Sequence, residues 1–364
     1  MNLIESLDKI PDPREAWKVK HNLSALLFVT LCGVLCGAES WSDISDYCES
    51  KIEMLRKFVN LDNGAPSGDT FRRIFTLIDP IIIENLLRSN ALELVNKNIQ
   101  TNIAIDGKSL KGSKRHDLKC LQSITAFCHE QNLVLAEIGV DIKSNEITAI
   151  PLLLDLLEIK GKTITIDAAG TQREIAKKII EKGGDYVLSL KENHPKFYET
   201  IVNHFKNNAI IPENRLEDYF DSSHGRTVRR RYFSCNLASL NGSEKWPGIK
   251  SSIAVETISS LNNDSKVTSE WRYYISSKAH TEIDLASIIR NHWSIENKLH
   301  WVLDMNMKED ADRKSERRSA KSFALLRRIA LNIVRAKDMN SKRSLRRKFK
   351  CAGWDDDYLI NLLK

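Results

Sequence analysis

The sequence has no Cys-x-x-Cys pair. Its seven cysteines are an odd set without the spacing of a zinc ribbon or a disulfide framework, so reduced, packed thiols are expected. A membrane span is missing too. The longest apolar stretch, Leu23 to Ala38, is interrupted by Ser24, Thr30, Gly33 and Gly37 and falls short of the ~20 residues a span requires. It reads as a buried helix. Nor is it a secretory signal, because Glu5, Asp8, Asp12 and Glu15 precede it and no small-residue cleavage site closes it. Internal repeats are absent, as are low-complexity tracts outside a basic tail. The expectation is a cytoplasmic globular protein.

What is present suits one large or two modest domains: 364 residues, 42% hydrophobic and 28% charged. The net charge of +7 is unevenly spread. Arg313 to Lys350 holds fifteen Lys or Arg against Glu316 and Asp338, a local +13 that leaves the other residues at −6. Such a block suits phosphate backbones, and equally a solvated charged face.

The first hundred residues read as helical. Trp41 to Glu49 and Lys51 to Val59 are helical stretches, and turn material at Asp62-Asn63-Gly64-Ala65-Pro66 precedes a helix that Ser67 can cap. A helix-turn-helix presenting Arg72 and Arg73 to DNA fits, as does a helical bundle decorated with arginines. After Asn98 the period changes. Strands are expected at 102–106, 122–128, 133–140, 163–167 and 185–190, and helices at 146–158, 171–182 and 195–208. The order β-β-β-α-β-α-β-α is that of an α/β, ribonuclease-H-like mixed sheet with flanking helices. A β-rich insertion follows, with strands at 232–237, 252–258 and 270–276. One helix is then expected from Thr281 through Leu303, and another from Glu316 to Ala336.

Two carboxylates occupy equivalent places in this outline. Asp106 ends the first strand before Gly107-Lys108, and Asp167 ends the fourth before Ala168-Ala169-Gly170. An acid at such a strand end can meet a hard divalent cation; it can also cap a helix, a task Thr171 could take from Asp167. Two-metal phosphoryl chemistry needs about three carboxylates around ions roughly 4 Å apart. Glu296 is the candidate third, mid-helix with His292 and His300 four residues to either side, while Asp304, Glu309 and Asp310 are rivals. Lys108, Lys191, Asn193, His224 and Arg226 suit phosphate contacts. Trp293 and Trp301 could stack on a base or pack in the core.

The strings Ile105-Asp106-Gly107-Lys108, Ile166-Asp167-Ala168, Ser189-Leu190-Lys191-Glu192-Asn193, His224-Gly225-Arg226, Tyr273-Tyr274-Ile275-Ser276-Ser277 and His292-Trp293-x-Ile295-Glu296-Asn297-x-Leu299-His300-Trp301 resemble the H-repeat-associated DDE transposases of bacterial insertion sequences. Ile10-Pro11-Asp12-Pro13-Arg14 and Pro66 to Arg73 are similar to that group's helical domain. The chain departs from the Tyr-x-x-Arg-x-x-x-Glu signature of neighbouring families, which also place a Lys seven residues past the Glu: the matching places hold Ile289, His292 and Leu303.

The resemblance implies a helical, DNA-binding domain over 1–98 and a ribonuclease-H-like core over 99–209. With the residue pattern, the expected organisation continues as a β-rich insertion over 210–280, a core helix with the third acid over 281–312, and a basic helical region over 313–364. Asp106, Asp167 and Glu296 are then the catalytic and metal-binding residues, holding Mg²⁺ or Mn²⁺. The expected DNA contacts are Arg72, Arg73, Lys108, Lys191, Asn193, His224, Arg226, His292, Asn297, Arg343, Arg346 and Arg347. The expected activity is cleavage at element ends and transfer of the 3′-hydroxyl into target DNA, by a homodimer on terminal inverted repeats. Two other readings stay open: a single transition metal on His292, Glu296 and His300, and an inactive relic or DNA-binding regulator.

Overall fold

Leu23–Leu35 carries apolar side chains all round, and α2 is accordingly buried almost without interruption. A computed structural model of the chain describes residues 3–96, 99, 102–114, 119–140, 146–208, 215–223, 226–237, 240–261, 267–314 and 316–364. All seven cysteines are free thiols. Among the described residues no helix is long and apolar enough to cross a membrane. The chain divides into two compact units. The first comprises Met1–Ile99, Gly107–Ser144 and Glu296–Lys364, and the second Gln100–Asp106 and Asn145–Ile295.

In the first unit α1 (Leu3–Asp8) and α2 lead to α3 (Trp41–Ser50), started by a capping box in which Ser40 and Asp43 satisfy each other's backbone N–H groups. After α4 (Ile52–Leu55) comes α5 (Gly68–Leu77), capped as expected by Ser67, whose hydroxyl accepts from the Thr70 N–H. Phe71, Ile74 and Phe75 turn inward, while Arg72 and Arg73 stay exposed. Next is α6 (Pro80–Leu94), with proline at its first turn. The unit also holds Gly107–Leu110 of β1 (Asn102–Leu110), followed by β2 (Leu121–Cys128) and β3 (Leu133–Val140), ordered β3-β2-β1 with β2 and β3 antiparallel. Its last part contains α11 (Trp301–Asn306), α12 (Arg317–Lys337), α13 (Leu345–Trp354) and α14 (Asp356–Leu363). Residues 319–334 of α12 are buried except Lys321, and the helix packs on α2, α5, α6 and β3. Each fully buried Leu, Ile or Phe there contributes ~1.5–3 kcal/mol.

The basic block is therefore not one solvated face. Arg327, Arg328 and Lys348 are buried, and Arg328 pairs with Glu137 of β3 and with Glu309.

The second unit is a mixed sheet ordered β1-β4-β5-β9-β8-β7-β6, where β4 is Thr163–Ile166, β5 Asp185–Leu190, β6 Arg215–Ser223, β7 Arg226–Asn236, β8 Ser251–Leu261 and β9 Val267–Ser276. β1, β4 and β5 run parallel, and β9 joins β5 antiparallel. Along the chain the elements follow the order β-β-β-α-β-α-β-α expected of an α/β, ribonuclease-H-like mixed sheet. Helices α7 (Glu146–Asp155), α8 (Arg173–Glu181), α9 (Pro195–Asn208) and α10 (Leu285–His292) accompany it, and α10 packs on β4, β5 and β6.

Three expectations need correction. β1 continues past Asp106 to Leu110, so Asp106 lies within the strand. Among the described residues the insertion has four strands rather than three. The unforeseen β6, Arg-Leu-Glu-Asp-Tyr-Phe-Asp-Ser-Ser, is a charged strand at the sheet edge, where polar residues discourage further pairing. The start of β7 is arginine-rich and was invisible to apolar periodicity; Arg229 pairs with Asp218, and Arg231 with Glu256 directly across the ladder. Finally, the single helix of 281–303 is broken. α10 stops at His292, and Glu296–His300 forms a π-helix before α11.

Candidate active site

In the second unit the parallel register pairs Ile105 with Ile166, so the residues that follow them, Asp106 within β1 and Asp167 just past the end of β4, come side by side on a sheet whose neighbouring strands lie ~4.8 Å apart. The loop after Asp167 is tightly held. Its carboxylate accepts from the Gly170 N–H at 3.1 Å, and the Thr171 hydroxyl lies 2.9 Å from the Asp167 carbonyl and 2.7 Å from that of Ser189. Asn193 donates to the Ala168 carbonyl at 2.8 Å, and His194 contacts the Thr171 carbonyl. A Cβ on Gly170 would come within 2.6 Å of Ile166 and Ile150, so any larger residue there would push these side chains aside. Asn193 thus shapes the loop with the amide expected to meet DNA.

Glu146, at the start of α7, was not singled out by sequence. Burial raises its carboxyl above the ordinary value, and the charge of Asp167 adds to that rise. His292 also finds a protein partner: its Nδ1 lies 2.8 Å from the Thr165 hydroxyl on β4. Burial pulls its imidazole down to about 4, against the opposing effect of Asp167. A groove of about 470 Å³ opens beside Asp167, lined by Ala168, Ser189, Lys191, Tyr198, Trp271 and Arg272 among others. Lys191 is exposed, and so is Trp293, over whose ring Arg272 lies at 4.7 Å.

In the first unit Glu296 sits on the π-helical turn with its side chain 63% exposed, accepting from His300 Nδ1 at 2.9 Å. His300 is buried, and burial lowers its pKa; the bond to Glu296 opposes this, while the charges of Lys108 and Arg328 add to it. The rival acids are committed elsewhere. Lys108, 8% exposed, reaches both oxygens of Asp304, Lys111 reaches Asp310 at 2.5 Å, and Glu309 is buried against Arg328. The ammonium expected to meet phosphate is therefore taken up by Asp304.

Asn297 and Trp301 are exposed. Arg72 is exposed and pairs with Asp69 at 3.0 Å; Arg73, Arg343, Arg346 and Arg347 are exposed as well. His224 lies outside the described residues, as does the side chain of Arg226, the first residue of β7.

The family described as Transposase DDE domain matches residues 98–333, and the DDE_Tnp_1-associated family matches residues 4–90. The chain is 38% identical to "H repeat-associated putative transposase YhhI" of Escherichia coli (strain K12), over 99% of this chain and 97% of the relative. It is 36% identical to "Putative transposase YncI" of Escherichia coli O157:H7, over 100% of this chain and 94% of the relative. Among solved structures it is similar to a piggyBac transposase synaptic complex with hairpin DNA, at 12% identity and a TM-score of 0.45, covering 98% of this chain and 75% of that one.

Proposed function

The chain belongs to the Transposase DDE domain family, and on that premise we propose that it cuts phosphodiester bonds at insertion-sequence ends and transfers the freed 3′-hydroxyl into target DNA. The observation that carries this reading is the parallel pairing that sets Asp106 beside Asp167, where Asp167 lines a groove together with Lys191, Arg272, Tyr198 and Trp271 and the acids Glu192 and Glu270. Glu296 supplies the third carboxylate, and the three residues together would hold Mg²⁺ or Mn²⁺. The donors are all carboxylate oxygens, as hard cations require. Burial raises the Glu146 carboxyl, and the charge of Asp167 adds a smaller part that a cation there would offset. When bound, such ions polarise the scissile phosphate and activate the attacking oxygen.

The chain's own groups prepare the site. Thr171 and Asn193 hold the loop of Ala168, Ala169 and Gly170, whose small side chains let a DNA strand approach closely. His292 fixes β4 next to Asp167 through Thr165, and His300 orients Glu296. In this reading Lys191, Asn297, His224 and Arg226 contact strands near the cut. Arg72 and Arg73 read the terminal repeat, and Arg343, Arg346 and Arg347 neutralise phosphates. The working form is a homodimer on double-stranded DNA.

The test is divalent-metal-dependent nicking of labelled DNA carrying the element's inverted repeats, by wild type, Asp106→Asn, Asp167→Asn and Glu296→Gln. Cleavage by wild type and by none of the three variants is expected. End binding without cleavage in either Mg²⁺ or Mn²⁺ would overturn the enzymatic reading in favour of an inactive relic or a regulator.

A further inference from the structure

The turn that carries Glu296 is out of α-helical register. In a π-helix each N–H reaches back five residues instead of four, which admits an extra residue and puts the neighbouring carbonyls out of step; such turns are rare and cluster at functional sites. Glu296–His300 adopts this form and runs directly into α11. Within it, the carbonyl of Lys298 accepts a hydrogen bond from Nη2 of Arg335, a residue of α12. The same guanidinium donates through Nη1 to the carbonyl of Asn132 at 2.8 Å, and Asn132 sits in the left-handed region at φ 55° in the turn between β2 and β3.

α12 grips this segment a second time. Arg328, seven residues before Arg335 and hence on the same helix face, is fully buried and holds both oxygens of Glu309 beyond the end of α11. Between them Asn332 bonds to both the N–H and the carbonyl of Val134 on β3, each at 2.8 Å. One face of α12 thus anchors β3, the π turn and the end of α11. Arginine suits the Lys298 position because its planar fork can serve two carbonyls from separate elements at once.

We infer that Arg335 is a positioning residue for Glu296: by holding the Lys298 carbonyl it keeps the π turn and so sets where the Glu296 carboxylate points. Return to α-helical register would rotate Glu296 by one position, about 100°, relative to α11. The inference rests on the reading of Glu296 as a metal ligand.

The experiment uses the full chain as wild type, Arg335→Met, Arg335→Lys and Glu296→Gln, with two measurements: Mn²⁺ affinity by electron paramagnetic resonance without DNA, and amide hydrogen exchange. In Arg335→Met, exchange at residues 297–302 is expected to accelerate while β4 and β5 keep their protection. Its Mn²⁺ affinity should fall about tenfold or more, the loss typical when a group supporting a metal ligand is removed. Arg335→Lys should recover part of both, since an ammonium can serve one carbonyl. Wild-type Mn²⁺ affinity or wild-type exchange in Arg335→Met, with Glu296→Gln weakened, overturns the inference and leaves the reading of Glu296 intact. Unchanged Mn²⁺ affinity in Glu296→Gln removes that reading and the inference with it. Should Arg335→Met not fold, deletion of Asn297 removes the extra residue while keeping Arg335. Loss of Mn²⁺ affinity then supports the inference, and unchanged affinity overturns it.

Discussion

Lys108 holds both carboxylate oxygens of Asp304, at 2.7 and 2.8 Å. The lysine lies two residues after Asp106 and the aspartate eight after Glu296, so the pair ties β1 to α11 within the first unit. It also separates the third-acid candidates: an aspartate already neutralised by a buried ammonium has little left to offer a cation.

Asp304→Asn should therefore keep metal-dependent cleavage where Glu296→Gln loses it. Lys108→Met leaves the partly buried Asp304 without its partner, a loss of about 1–3 kcal/mol readable as a lower urea midpoint at unchanged slope. Cleavage lost in Asp304→Asn at normal stability would move the third ligand to Asp304.

His292 makes stability depend on pH in a defined direction. Its folded pKa of about 4 lies below the ordinary 6.5, so between these values the unfolded chain binds a proton that the native chain does not. Its contribution is fully present above pH 6.5 and is lost as pH falls towards 4, by roughly 3 kcal/mol at 1.36 kcal/mol per unit. In His292→Asn, which can still face Thr165, the fall in unfolding free energy between pH 6.5 and 4 should be shallower. Equal slopes in the two proteins would exclude this source.

The exposed arginines at the start of α13 should contribute affinity without sequence preference. Replacing Arg343, Arg346 and Arg347 with Gln is expected to weaken binding equally on element ends and unrelated DNA. The salt slope should flatten by about 0.9 for each phosphate that is no longer neutralised. Lys348 behaves differently: it is buried and pairs with Asp338, so Lys348→Gln should lower thermal stability more than it changes the salt slope. A selective loss on element ends in the triple variant would assign sequence reading to this helix.

Recognition of the ends is expected from α5. Arg72→Ala with Arg73→Ala should reduce preference for terminal repeats over random DNA, since an arginine–guanine contact discriminates by ~1–3 kcal/mol. Metal-dependent cleavage at high DNA concentration should survive, because both side chains are exposed and the apolar face of the helix is untouched. Full end preference in the double variant at normal stability would reduce α5 to scaffold.

Elements governed by neighbours in the chain could be read in advance. The strand beginning with Asn102-Ile103-Ala104-Ile105 and the run Thr163–Ile166 declare themselves by apolar β-formers, and the helix after Ser67 by its cap and its inward Phe71, Ile74 and Phe75. Glu146 gave no such signal, because its significance comes from Asp167, twenty-one residues away. The π turn at Glu296 was hidden for a similar reason: the residues around it alternate as in an α-helix, and the arginine that supports it comes from α12.

By itself the sequence determined the apolar strand cores that precede Asp106 and Asp167, the capped helix that carries Arg72 and Arg73, and the family, because periodicity, caps and motifs are properties of adjacent residues. Tertiary structure alone decided which charges are available. Of the cationic run from Arg313 to Lys350, Arg343, Arg346 and Arg347 face outward, whereas Arg328 is fully buried between Glu137 and Glu309. The physical reason is that a charge can leave water only where partners wait for it. For Arg328 one of those partners lies 191 residues earlier in the chain.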